Sequence, residues 1–102
     1  MQRHEFEFGP GFRVVLGNGR SQAAEMVLRD GETTGGPENR HEGSDQWLYV
    51  TAGSGVAVID GDEHQLEPGT LILIERGEVH EIRNTGAGHL ETINFYVPPA
   101  YD

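Results

Sequence analysis

No clearly apolar run in this chain is longer than four residues, and turn residues close almost every one of them. VAVI (56–59) and LILI (71–74) reach that length. An α-helix in a globular protein averages about 10–14 residues, and a membrane-spanning helix needs about 20 apolar ones. Runs this short suit β-strands, whose usual length is about 5–6 residues. The chain's 15 glycines fall between the runs at regular intervals, where they punctuate strands and do not form a flexible linker.

A pass along the chain predicts about nine strands. HEFEF (4–8) alternates polar and aromatic side chains, the period-2 pattern of a strand with one buried face. FRVVL (12–16) runs into Gly17-Asn18-Gly19, whose Asn-Gly step suits the positive φ angles of a tight hairpin. SQAAEMVLRD (21–30) is compatible with a helix face, but its ten residues between glycine turns also suit a strand, and strand is the expectation. The stretch from Gly31 to Ser44 has no apolar residue and is expected to be a loop. QWLYVTA (46–52), GVAVID (55–60), EHQL (63–66), TLILIE (70–75), VHEIRN (79–84) and HLETINFYV (89–97) follow as strands, with turns between them. Many short strands with a turn every 8–12 residues or so indicate an all-β sandwich or barrel. With no internal repeat or linker, residues 1–102 are expected to form one domain.

Seventeen acidic residues against seven basic ones give a formal charge of −10. That disfavours nucleic acid, whose phosphates need clustered Lys and Arg, and it disfavours an anionic membrane surface. The absence of cysteine excludes disulfides, thiolate metal sites and thiol nucleophiles. The opening MQRHEFEFGPG carries charges where a secretion signal needs an apolar stretch, so the expected location is the cytoplasm.

Two stretches carry the chemistry. In residues 69–84, Gly69 is followed after five residues by Glu75-Arg76-Gly77, after two more by His80, and after three more by Asn84. In the other, Gln46 precedes Gly53 by six intervening residues, and fifteen residues separate Gly53 from Gly69. This spacing resembles the two motifs of the cupins, with Glu75 standing where the second motif has proline. The resemblance covers residues 35–84. It implies a double-stranded β-helix, that is, a jelly-roll β-barrel of two antiparallel sheets. The physical reading of the second motif agrees with it. His80, Ile82 and Asn84 share one face of a strand because side chains alternate, so His80 is expected to point inward, towards whatever Gln46 faces.

Metal-binding cupins present His-x-His and a Glu in the first motif, and a fourth ligand from the histidine of the second. This chain departs from that set. Anchored on Gln46, the second histidine is His41 and Asn39 takes the place of the first; anchored on Gly35, His41 is the first and Gly43 the second. Either way one histidine is missing, and Gln46 stands in place of glutamate. The implied ligands are therefore His41, Gln46 and His80, with Asn39 as a weak fourth, around one divalent first-row ion (Zn, Fe, Mn, Ni or Cu). A neutral amide in place of a carboxylate predicts loose binding. Glu42 and Asp45 are the nearby carboxylates, but Asp45 faces opposite to Gln46 on a regular strand.

Two functional readings follow from the resemblance. One is a metal-dependent oxygenase- or isomerase-type enzyme acting on a small organic substrate. The other is a non-catalytic cupin whose same side chains hydrogen-bond a small ligand without metal. His64 in its hairpin is expected to be solvated, His4 beside Phe6 and Phe8 to sit on an outer face, and His89 to begin the last strand; all three are weaker site candidates than His41 and His80. Trp47 and Tyr49, on the face opposite Gln46, are expected to pack or to meet a second subunit. A homodimer is expected, because Phe6, Phe8, Phe95, Tyr96 and Tyr101 load the terminal segments with aromatic surface and open sheets need their edges covered.

Overall fold

The computed structural model describes residues 1–35 and 43–101. Every regular element among them is a strand: β1 (Gly11–Gly17), β2 (Gln22–Leu28), β3 (Thr33–Gly35), β4 (Asp45–Ala52), β5 (Gly55–Ile59), β6 (Asp62–Leu66), β7 (Leu71–Ile74), β8 (His80–Asn84) and β9 (Leu90–Val97). They form two antiparallel sheets, one ordered β1-β2-β9-β4-β7 and the other β3-β8-β5-β6. The jelly-roll expectation holds. No described helix is long and apolar enough to cross a membrane.

The ambiguous segment 21–30 is a strand, and its neighbours explain why. β2 pairs with β9 over seven consecutive residues, from Gln22↔Tyr96 to Leu28↔Leu90, and with β1 on its other side. A central position gives every backbone group of β2 a ladder partner, which outweighs the helix preference of its alanines.

Two expectations need correction. HEFEF is not a strand; residues 1–9 join no sheet. The alternation there has another cause. Phe6 and Phe8 stack at 5.3 Å and are half-buried, while Glu5 and Glu7 stay in water. The Phe8 N–H donates to Glu25 Oε1 at 3.2 Å, so a side chain takes the place of a ladder partner. Second, the predicted loop from Gly31 to Ser44 begins with β3, which pairs with β8 through Thr33↔Arg83, Thr34↔Ile82 and Gly35↔Glu81. Two threonines and a glycine have no apolar signal, but an edge strand three residues long needs little of one.

Between the sheets lies a core of Leu28, Leu48, Val50, Leu66, Ile82 and Leu90, each 7% exposed or less. Fully burying each such side chain stabilises the fold by roughly 1.5–3 kcal/mol. The chain passes close to itself at Gly53, where φ is +86° and a Cβ would stand 2.2 Å from the His89 carbonyl oxygen. Only glycine fits there.

Candidate functional site

The interior changes character from one end to the other. Register across β2, β9 and β4 sets Gln22, Tyr96 and Gln46 side by side at one end. Ala24, Asn94 and Leu48 form the next row, then Met26, Thr92 and Val50, and finally Leu28 beside Leu90. The first row is polar, the last is hydrocarbon.

A hydrogen-bonded relay descends the inner face of β9. Gln46 Nε2 donates to Asn94 Oδ1 at 2.9 Å, Asn94 Nδ2 donates to Thr92 Oγ1 at 3.0 Å, and the Thr92 hydroxyl donates to the Met26 carbonyl at 2.8 Å. Its direction follows from the chemistry of its last member. A carbonyl can only accept, so the single hydroxyl hydrogen of Thr92 points at Met26. Thr92 Oγ1 must then accept from Asn94, which turns the Asn94 oxygen to Gln46 and the Gln46 nitrogen to Asn94. Gln46 Oε1 is left at the open end. It is buried, and it has no hydrogen-bond partner among the described residues.

His80 comes from the facing sheet. It opens β8 and is 4% exposed. Its Nδ1 lies 3.4 Å from the Glu78 carbonyl, a contact that requires the proton on Nδ1 and leaves the lone pair on Nε2. Burial holds its pKa below the ordinary 6.5, against the opposing pull of the Glu78 carbonyl and carboxylate. The imidazole is therefore neutral at pH 7, the form that accepts a hydrogen bond or ligates a metal.

Gln46 and His80 line one cavity of about 250 Å³, with Phe12, Met26, Tyr96 and Tyr101; Thr34 and Ile82 complete its wall. Larger hollows of about 440 and 430 Å³ lie elsewhere, one under Met1 and Gln2 and the other beside Val58 and Arg83. His80 also borders the second of these, but only the smaller cavity is faced by both buried polar side chains. Three rings crowd its rim: Phe12 and Tyr101 at 4.9 Å, Tyr96 and Tyr101 at 5.1 Å, and Phe12 and Tyr96 at 6.5 Å. Burial and the neighbouring Tyr101 raise the pKa of the Tyr96 phenol, so it is neutral. Gln22 fastens the C-terminal tail over this end. Its Nε2 donates to the Tyr101 carbonyl at 2.7 Å, and its Oε1 accepts from the amides of Ala100 and Tyr101 at 3.2 and 3.0 Å.

Of the residues singled out from sequence, Gln46 and His80 line the same cavity, while His41, Asn39 and Glu42 lie outside the described residues. Asp45 faces outward, as its parity requires, and accepts from the Arg76 amide at 3.0 Å. Asn84 lines no described cavity wall of the site; its amide nitrogen sits 2.8–3.0 Å from the carbonyls of Leu28, Arg29 and Gly88, which pins β8 to the end of β2. His4, His64 and His89 are exposed. No group of three or more His, Asp or Glu able to hold a metal occurs among the described residues.

Asn94, Thr92 and Tyr96 were not anticipated as site residues. The outward set on β9 is Ile93, Phe95 and Val97, more apolar than the inward Thr92, Asn94 and Tyr96, so hydrophobicity alone points the wrong face inward. The available signal was the polar residue at every second position of a strand opposite Gln46.

The family model described as a cupin domain (Cupin_2) matches residues 24–96. Among curated proteins the chain is 39% identical over 61 residues to the tetracenomycin polyketide synthase protein TcmJ of Streptomyces glaucescens, covering 60% of this chain and 40% of that protein. It is 34% identical over 68 residues to an oxalate-binding protein of Thermotoga maritima, covering 67% of this chain and 54% of that one. The chain thus spans about half the length of these relatives, 40% and 54%. Among solved structures, a Bacillus halodurans protein superposes with TM-score 0.85 at 26% identity, over 91% of this chain and 74% of the other. A predicted oxalate decarboxylase of Thermotoga maritima superposes with TM-score 0.77 at 27% identity, over 86% and 79%.

Proposed function

Because the chain belongs to the cupin domain family, we propose that its interior cavity is a small-molecule site with Gln46 and His80 as the polar contacts. The observation that carries this reading is their convergence: two neutral polar side chains, 3% and 4% exposed, face one cavity of about 250 Å³. Fold alone would not do so, since one fold hosts many activities.

A divalent first-row ion fits this donor set weakly. His80 would offer an imidazole nitrogen, Gln46 its buried amide oxygen, and His41 a third donor. The ion would supply Lewis acidity, polarising a bound oxygen atom for an oxygenase- or isomerase-type reaction. The protein's own contribution would be to hold the substrate against an aromatic wall and keep bulk water out. The non-catalytic reading has an observation in its favour too. No carboxylate lines the cavity among the described residues, and the relay through Asn94 is built to present a neutral amide oxygen. Both thermotogal relatives are named for oxalate. In this cavity no described Lys or Arg lines the wall to meet such a dianion, so oxalate would need a metal to carry the charge.

Elemental analysis of the purified protein before and after chelation separates the readings. Sub-stoichiometric metal that chelation removes supports the loosely held ion, and Gln46→Glu should raise its occupancy several-fold. Unchanged occupancy in that variant would count against Gln46 as a ligand. The acidic chain is taken as cytoplasmic, with a second copy of itself as its macromolecular partner.

A further inference from the structure

The open end of the Gln46 relay identifies the chemistry of the molecule the cavity takes, on the reading that the interior is a small-molecule site. Gln46 cannot turn its amide over: its oxygen would then face Asn94 Oδ1, and the Asn94–Thr92–Met26 bonds prevent Asn94 from turning to compensate. The cavity therefore meets a fixed acceptor, Oε1, that lacks a partner among the described residues. A buried acceptor left unmet costs free energy, and native structures rarely leave one without a reason. What meets it must bring a hydrogen or a positive charge.

The rest of the wall narrows the choice. Phe12, Tyr96 and Tyr101 present rings, Met26 a thioether, and no Lys, Arg, Asp or Glu lines the cavity among the described residues. An anion would meet the Gln46 oxygen with no cation among the described lining residues to offset the repulsion. A flat, uncharged ring suits walls of this kind, by edge-to-face contact with the aromatics and sulfur contact with Met26. An apolar cavity of about 150 Å³ is enough for benzene, so about 250 Å³ takes a ring with a substituent.

We propose that the cavity binds uncharged hydroxyl-bearing rings of the phenol class, the hydroxyl donating to Gln46 Oε1 and the ring lying against Phe12, Tyr96 and Tyr101.

The test uses the full chain with chelator present, titrated with phenol, toluene, anisole and benzoate and followed by amide NMR. Phenol should bind about tenfold more tightly than toluene or anisole, which match its shape but lack the donor. Benzoate should not bind. Gln46→Met should bring the affinity for phenol down to that for toluene. Should that variant fail to fold, the wild-type comparison of phenol with toluene decides alone. Equal affinities for the two would mean that water serves Oε1, and would overturn the assignment; so would a preference for benzoate. If no ring binds but zinc, titrated separately without chelator, does, the ligand class is wrong and the interior site stands. If neither binds, the site itself is lost as well.

Discussion

Towards the end of the barrel that holds Gln46, β4 and β9 set polar side chains inward and apolar ones outward, the reverse of the usual arrangement. Inward, beside the core side chains Leu48, Val50 and Leu90, they present Gln46, Thr92, Asn94 and Tyr96, all buried. Outward they present Trp47, Tyr49, Phe95 and Val97, each 39–44% exposed, continued on β7 by Leu71 and Leu73. Across β2, by contrast, the outer face is closed: Glu25 is 1% exposed, bonded to Arg13 and to the Phe8 amide. Polar residues inside a barrel imply something polar to hold, and a bare apolar sheet face implies something to cover it.

Breaking the inner face should have the largest effect. Asn94→Leu roughly conserves volume but strips the partner from Gln46 Nε2 and the donor from Thr92 Oγ1, both buried. Unmet buried polar groups cost about 1–3 kcal/mol each, and the two groups sit in one network. The expected loss is about 3 kcal/mol of unfolding free energy by urea denaturation, with the m-value unchanged. Phe95→Ser, one residue along the same strand, should change the protomer's stability by less than about 0.5 kcal/mol. Equal losses at the two positions would erase the distinction between the faces.

The same inversion explains what was legible in the sequence. Glycine spacing and period-2 alternation were enough for eight of the nine strands, because ladder pairing and turn chemistry are local and repeat along the chain. Gly53 was legible as a motif position, but the reason, a Cβ meeting the His89 carbonyl, needs the other strand in place. Gln46 and His80 were legible because motif spacing encodes their parity. Asn94 and Thr92 were not, because the hydrophobic pattern of β9 reports the exposed face. The HEFEF alternation misled for a related reason: residues lying on a sheet alternate as residues within one do. The terminal aromatics were similarly recast. Tyr96 points inward and Tyr101 is clasped by Gln22, so the tail closes its own barrel, and the uncovered surface lies on β9, β4 and β7.

That clasp gives an intermediate prediction. Gln22→Leu removes all three bonds between β2 and the tail, but the freed amides of Ala100 and Tyr101 can turn to water. The expected cost is therefore only about 1 kcal/mol. Hydrogen exchange at those two amides should accelerate to the rate of an unstructured chain while β2 and β9 stay protected. Retained protection at Ala100 and Tyr101 would mean that ring packing against Phe12, not Gln22, holds the tail.

The smallest effect on the fold should come from the outer face, and it should be accompanied by a change in mass. If a second copy covers β9, β4 and β7, the wild-type protein scatters light as twice its 11.2 kDa. Trp47→Ser with Phe95→Ser removes two rings of that face, which lie side by side because Trp47 pairs with Phe95 in the β4–β9 register. Interface energy concentrates in such central aromatics, so the double variant should be monomeric at micromolar concentration. Neither ring is part of the buried core, so in dilute solution the protomer should keep its strand content and change in stability by no more than about 0.5 kcal/mol. A wild-type mass near 11.2 kDa would leave the apolar face without a second copy. A monomeric variant that also unfolds would show that these rings hold the sheet itself together, and the two faces of β4 and β9 would then share one role.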